Sequence, residues 1–348
     1  MASDGFHVDP PTLIIGSAGF ADVQNFWDTQ YQGLLGSSLD MAGMAGDDDA
    51  GRAFAGKYQP AAQSVVDASG RLYAQLGGIA NGVFMMAQNY IKAESDNTVG
   101  AANPIPLPDT RQQQCDTSTR KAQVPNVIGH TQGGVENILA KFWPQGNPDA
   151  LRRVADDWHI LAGRLQTVGQ EGDRICGQIL AENSSSAVDG FASTWRQLHG
   201  GNFGGKKSLV DALADACAKL EAACRAYADR IDQQREALRD LAIGAGVVAG
   251  AGIVLTVFTF GISDAAAAAG EAAIAADAAA LVVEFTEVTA SAEEVAVLAE
   301  AETIVADAAA SLGEIAPAVA DTSSVGEISP PPPPWRTPPR SGRSPWPA

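Results

Sequence analysis

The stretch GDDDAGRAFAGKYQPAAQSVVDASGRLYAQLGGIANGVFMMAQNYIKAE, residues 46–94, decides the fold. Its apolar side chains Phe54, Tyr58, Ala61, Val65, Ala68, Leu72, Leu76, Ile79, Val83, Met86 and Tyr90 recur at three- and four-residue steps. That rhythm puts them on one face of a long helix. Upstream, Phe20, Val23, Trp27, Tyr31, Leu34, Ser38 and Met41 keep the same steps. Between the two seams lies the tight acidic turn Gly46-Asp47-Asp48-Asp49-Ala50-Gly51. Asp47 suits the N-cap of the second helix, and Asp48 and Asp49 its first turn, where carboxylates complement the helix dipole. Pro60 inside the second seam allows either a kink or a later helix start. Two seams joined by a short turn fold back antiparallel, so the spacing predicts a helical hairpin over 10–97.

Residues 98–134 break the rhythm. Pro104, Pro106, Pro108 and Pro125, among many Gln, Thr and Asn, read as an extended linker. A second helical unit, 135–262, opens sharply at Trp143-Pro144-Gln145-Gly146-Asn147-Pro148, with Asn147 as N-cap and Pro148 at the first helical position. One seam runs Leu151, Val154, Trp158, Leu161, Leu165, Val168, Ile175, Ile179, with Gly172 in its one gap. After a short segment near 188–198 and a Gly-rich loop, another carries Leu213, Cys217, Leu220, Cys224, Tyr227, Ile231 and Leu238. Near-heptad seams of this kind predict antiparallel, coiled-coil-like packing at shallow angles.

From Leu241 to Ile262 there is no charged residue, a run long enough to span a bilayer. Arg225, Arg230, Arg235 and Arg239 precede it and only acids follow, which favours an N-terminus-inside orientation. The competing reading is a buried Gly-rich helix or helical hairpin that caps the bundle. Residues 263–329 hold thirteen Asp or Glu and no Lys or Arg, and read as an acidic Ala-rich helical arm. The Pro-rich end, 330–348, predicts a disordered or polyproline tail.

The net charge of −18 excludes nucleic acid as a partner on charge grounds, since phosphate binding needs clustered Lys and Arg. The start, Met1-Ala2-Ser3-Asp4-Gly5, has no basic and apolar regions of a cleavable secretory signal, so any export is expected to be leaderless. The four histidines are scattered, and no nucleophile elbow, P-loop or Cys/His pair is present; the expectation is no enzyme, no metal and no cofactor. Cys217 and Cys224 are seven apart on one helix, about 10 Å, too far to bridge each other. Either can pair with Cys176 if the chain meets an oxidising compartment; otherwise all three are small apolar fillers of a tight seam.

The hairpin followed by Tyr90-x-x-x-Glu94 resembles leaderless helical substrates of actinobacterial type VII secretion, the WXG-type (ESX) proteins. In that family such a motif after a helical hairpin is the export address, so the resemblance assigns Tyr90 and Glu94 to contact with the secretion machinery. The family's Trp-x-Gly turn is absent here. Residues 135–262, with Trp143-Pro-x-Gly-x-Pro148, Trp158, Cys217, Cys224 and Thr259-Phe260-Gly261, resemble the CpnT-like N-terminal domain that heads actinobacterial polymorphic toxins. Together these imply an all-α, elongated antiparallel hairpin and bundle with a disordered Pro-rich tail. Its function would be a non-enzymatic secretion-targeting and structural module of a type VII-exported toxin, without the toxin domain. The implied partners are the type VII machinery and a small helical WXG-like protein or a second copy. The location would be secreted or at the cell surface. The alternative is a membrane-associated scaffold or pore-forming protein anchored through 241–262.

Overall fold

The computed structural model describes residues 7–37, 41–97, 114–129, 142–203, 206–244, 249–250, 252–253 and 303–304. Helices α1 (Pro10–Ser37) and α2 (Asp49–Asn97) form the predicted first hairpin. Helices α3 (Pro148–Glu182), α4 (Ser186–Leu198) and α5 (Leu209–Gly244) form the second unit. The two-residue strands β1 (Asn202–Phe203) and β2 (Lys206–Lys207) pair antiparallel between α4 and α5. A similar pair, β3 (Ala249–Gly250) and β4 (Gly252–Ile253), follows α5. The fold is all-α, as predicted. It is also elongated: the 49 residues of α2 extend about 74 Å at 1.5 Å per residue.

The start of α2 corrects one assignment. Asp48, not Asp47, is the N-cap: its Oδ1 accepts from the Gly51 amide at 2.7 Å, while Asp47 pairs with Arg52 at 2.9 Å. Asp48 also accepts from the Gln145 amide at 2.7 Å, so the cap ties the first hairpin to the second unit. Asp48→Ala is expected to cost about 1 kcal/mol for the lost cap, read as a lower midpoint in urea unfolding with an unchanged slope. The Asn147 cap of α3 is as predicted, its side chain accepting from the Ala150 amide with Pro148 in the first turn. Pro60 lies inside α2, which runs unbroken from Asp49.

Every apolar residue of the α3 and α5 seams is buried. The ion pairs Arg152–Asp229, Asp156–Arg225 and His159–Glu221 run along these two helices and fix an antiparallel register. The gap at Gly172 is where Trp195 of α4 enters: a Cβ at Gly172 would lie 2.0 Å from the end of the indole. Trp195 also donates to Asp173 at 2.7 Å and packs on Phe20 of α1, with ring centroids 5.3 Å apart.

The sequence separates two helical units with a linker, whereas the buried side chains of both form one continuous cluster, from Leu13 to Ile231. Two features explain the merger. Gly16 and Gly19 let α1 close on Ile179 and Ile175 of α3. The buried stripe of α2 is also wider than one seam, with Ala62, Val66, Ser69, Tyr73 and Ala80 buried beside the predicted set, so it covers α1 and α5 together. Phe54 stacks on Tyr58 and on Tyr227 of α5, and Tyr58 Oη accepts from Trp158 Nε1 of α3 at 2.8 Å. At the hairpin turn Gly46 has φ +85°, and a side chain there would strike the Gln145–Gly146 backbone. Tyr227 Oη closes this end by donating to the Ala45 carbonyl at 2.9 Å.

The described part of the linker, 114–129, is an extended strap along α2 with Val124 and Val127 buried. Residues 98–113 and 130–141 lie outside the described residues, as do most of 241–262 and of the acidic arm and the whole Pro-rich tail. Of the arm, Thr303 and Ile304 are described, and Ile304 packs against the core. Among the described residues no helix is long and apolar enough to cross a membrane.

Candidate functional site at the far end of the hairpin

The Tyr90 end of α2 is a junction of four helix termini. Asp9 caps α1 through the Thr12 amide and hydroxyl, and its own amide donates to Asn183 Oδ1 at 2.7 Å. Asn183, the C-cap of α3, donates back to the Ile179 carbonyl at 2.9 Å. Beside it, His7 and Ser184 exchange backbone hydrogen bonds of 3.2 and 2.7 Å. Ser185 then caps α4, accepting from the Val188 amide.

Tyr90 reaches into this junction. Its hydroxyl donates to Ser185 Oγ at 2.9 Å, and the side chain is 9% exposed and part of the core. Glu94 lies one turn further along α2 and is exposed. Tyr90 and Glu94 thus stand one turn apart on α2 in unlike surroundings: Tyr90 is packed against the Ser185 cap, and Glu94 is exposed. Ile15 of α1 and Leu180 of α3, near this junction, are exposed large apolar residues (69% and 42%). Periodicity alone could not reveal the Ser185 contact, because it joins residues far apart in sequence.

Of the two readings of Cys176, Cys217 and Cys224, a disulfide or a packed seam, the structure holds the packed one, with all four cysteines as free thiols. Register is the reason. The α3–α5 ion pairs set Cys217 level with Gly163 and Cys224 level with Asp156. Cys176 therefore stands about 20 Å along the axis from Cys217, beyond disulfide reach. The three instead fill the seam. Burial raises the Cys176 thiol to about 11, with Asp173 adding to the rise, and pushes Cys217 and Cys224 higher still. Such thiols stay protonated at neutral pH and react slowly. Cys115, partly exposed on the strap, is expected to be alkylated first in native protein, with Cys217 and Cys224 modified only after unfolding. Peptide mapping that finds a Cys176 cross-link would contradict this packing.

No group of three His, Cys, Asp or Glu side chains is arranged to hold a metal ion among the described residues.

Residues 127–285 match the family described as WXG100 like domain, a span that takes in α3, α4 and α5. The chain is 30% identical over 224 residues to the outer membrane channel protein CpnT of Mycobacterium tuberculosis, covering 60% of this chain and 24% of CpnT. The CpnT of Mycobacterium bovis gives the same figures. Over 132 residues it is also 30% identical to Mav of Mycobacterium avium, provisionally named an NAD(+)–arginine ADP-ribosyltransferase, covering 36% of this chain and 15% of that protein. The chain thus spans about a quarter of the CpnT length. No solved structure matches it significantly. The chain is therefore similar to the WXG100 like domain over residues 127–285 and to CpnT over three-fifths of its length.

Proposed function

We propose that the helices described here are a secretion-targeting and structural module, non-enzymatic in itself, of a protein exported by a type VII machinery. The observation that carries this reading is the long α1–α2 hairpin ending in Tyr90 and Glu94, packed on a WXG100-like domain. In this reading Glu94 is the group that meets the machinery. Tyr90 holds the presenting end of α2 in place by docking on the Ser185 cap. The exposed Ile15 and Leu180 near the same end suit a small helical partner or a second copy. Dependence on the machinery tests the reading. The chain is expected in culture filtrate of a host with an active type VII system and absent when that system is inactivated. Equal amounts in both filtrates would remove the reading.

A further inference from the structure

Asn183 is a buried polar side chain, 5% exposed, at the point where α3 ends in extended backbone (φ −137°, ψ 137°). A buried primary amide has to place both its donor and its acceptor, because an unmet buried polar group costs more than a hydrogen bond returns. Asn183 places the two in different helices. Its Nδ2 donates to the Ile179 carbonyl at 2.9 Å and closes the last turn of α3. Its Oδ1 accepts from the amide of Asp9 at 2.7 Å, and Asp9 is the cap of α1. One side chain thus joins the end of α3 to the start of α1. Leucine would offer neither bond, and aspartate would keep the acceptor, lose the donor and bury a charge.

The neighbouring bonds extend the same junction. His7 and Ser184 exchange backbone hydrogen bonds of 3.2 and 2.7 Å, so residues 7–9 are clasped on 183–184. Ser185 follows directly as the cap of α4 and receives the Tyr90 hydroxyl at 2.9 Å. Three consecutive residues, 183–185, therefore hold the end of α3 through Ile179, the start of α1 through Asp9 and the end of α2 through Tyr90. Apolar burial is non-directional, whereas hydrogen bonds have direction and length, so this junction sets where the end of α2 stands and not only that it is covered. Glu94 lies one turn beyond Tyr90 on that end and is exposed.

We propose, resting on the export reading above, that the clasp of residues 7–9 on 183–185, centred on Asn183, is the positioning device of the export surface. Asn183 touches neither Tyr90 nor Glu94 by its own side chain bonds. It fixes the α3–α4 turn to the start of α1, the turn carries Ser185, Ser185 holds Tyr90, and Tyr90 sets the place of Glu94.

The test uses the full chain carrying Asn183→Leu, which keeps the branched outline of the side chain and removes both of its bonds. The variant is expected to stay helical by circular dichroism. Its Asp9 and Ser184 amides should exchange with deuterium at least about tenfold faster than in the natural chain, with the middle of α3 unchanged. Its export should fall toward the background of a host whose type VII machinery is inactive. Asp48→Ala, which loses a cap at the opposite end of α2, controls for stability and should be exported like the natural chain. His7→Pro removes one bond of the clasp at an exposed residue and should lower export in the same direction. The natural chain is run in hosts with and without an active machinery, so a failure of the export reading shows in the natural chain and not in the variants. A folded Asn183→Leu chain exported as well as Asp48→Ala, or with unchanged exchange at Asp9 and Ser184, would overturn the proposal. Should Asn183→Leu not fold, normal export of His7→Pro would overturn it.

Discussion

Trp158→Ala is expected to destabilise the chain by about 3–5 kcal/mol, the range for truncating a large buried aromatic residue. Trp158 is fully buried on α3, and its indole donates to Tyr58 Oη of α2. Tyr58 in turn stacks on Phe54, which stacks on Tyr227 of α5. One substitution therefore opens a cavity where three helices meet and strips a buried phenol of its donor, leaving it only the Cys224 thiol as partner. Burial already pushes that phenol's pKa well above its usual value, so it cannot relieve the loss by ionising. Urea unfolding followed by circular dichroism measures the effect. A cost below about 1 kcal/mol would mean that the first hairpin does not share a core with α3 and α5.

Substitutions at Tyr90 are expected to split into two classes. Tyr90→Phe keeps the ring in the core and loses only the hydrogen bond to Ser185, a cost of about 1 kcal/mol. Tyr90→Ala removes the ring as well and is expected to cost about 3 kcal/mol. If Tyr90 serves export by holding the end of α2, Phe should be exported nearly as well as the natural residue, and Ala poorly with a matching loss of stability. Melting temperatures and filtrate amounts measured on the same variants check this. Loss of export in Tyr90→Phe at unchanged stability would instead place the hydroxyl itself in contact with the machinery.

The legible parts of the fold were those governed by local repeat. The seam of α3 from Leu151 to Ile179 and that of α5 from Leu213 to Leu238 are buried as their spacing predicts, because side chains three and four apart must share a helix face. The Asn147–Pro148 start of α3 was legible for the same local reason. Contacts between distant segments were not. Nothing in the spacing of Cys176, Cys217 and Cys224 gives the register of α3 on α5, which depends on pairs such as Arg152–Asp229. The shift of the α2 cap from Asp47 to Asp48 follows from the Gln145 amide, 97 residues away, which takes the second oxygen of Asp48. The composition of the strap predicts an extended segment, but its seat depends on Asn81 and Gln63, polar residues beside a helix seam whose spacing alone suggests solvated surface. Of the site, the sequence singled out Tyr90 and Glu94, and the fold then gave them unlike surroundings, one packed and one exposed.

Glu94 is exposed and can be changed without touching the core, so export through this end of α2 is tested most directly there. Glu94→Gln keeps the side chain's length and removes its charge. The measurement is the amount of this variant in culture filtrate beside the natural chain, from the same type VII-competent host and at equal cellular expression. The expected result is an unchanged melting temperature with export reduced to the background seen when the machinery is inactivated. Normal export of a normally folded Glu94→Gln chain would contradict it.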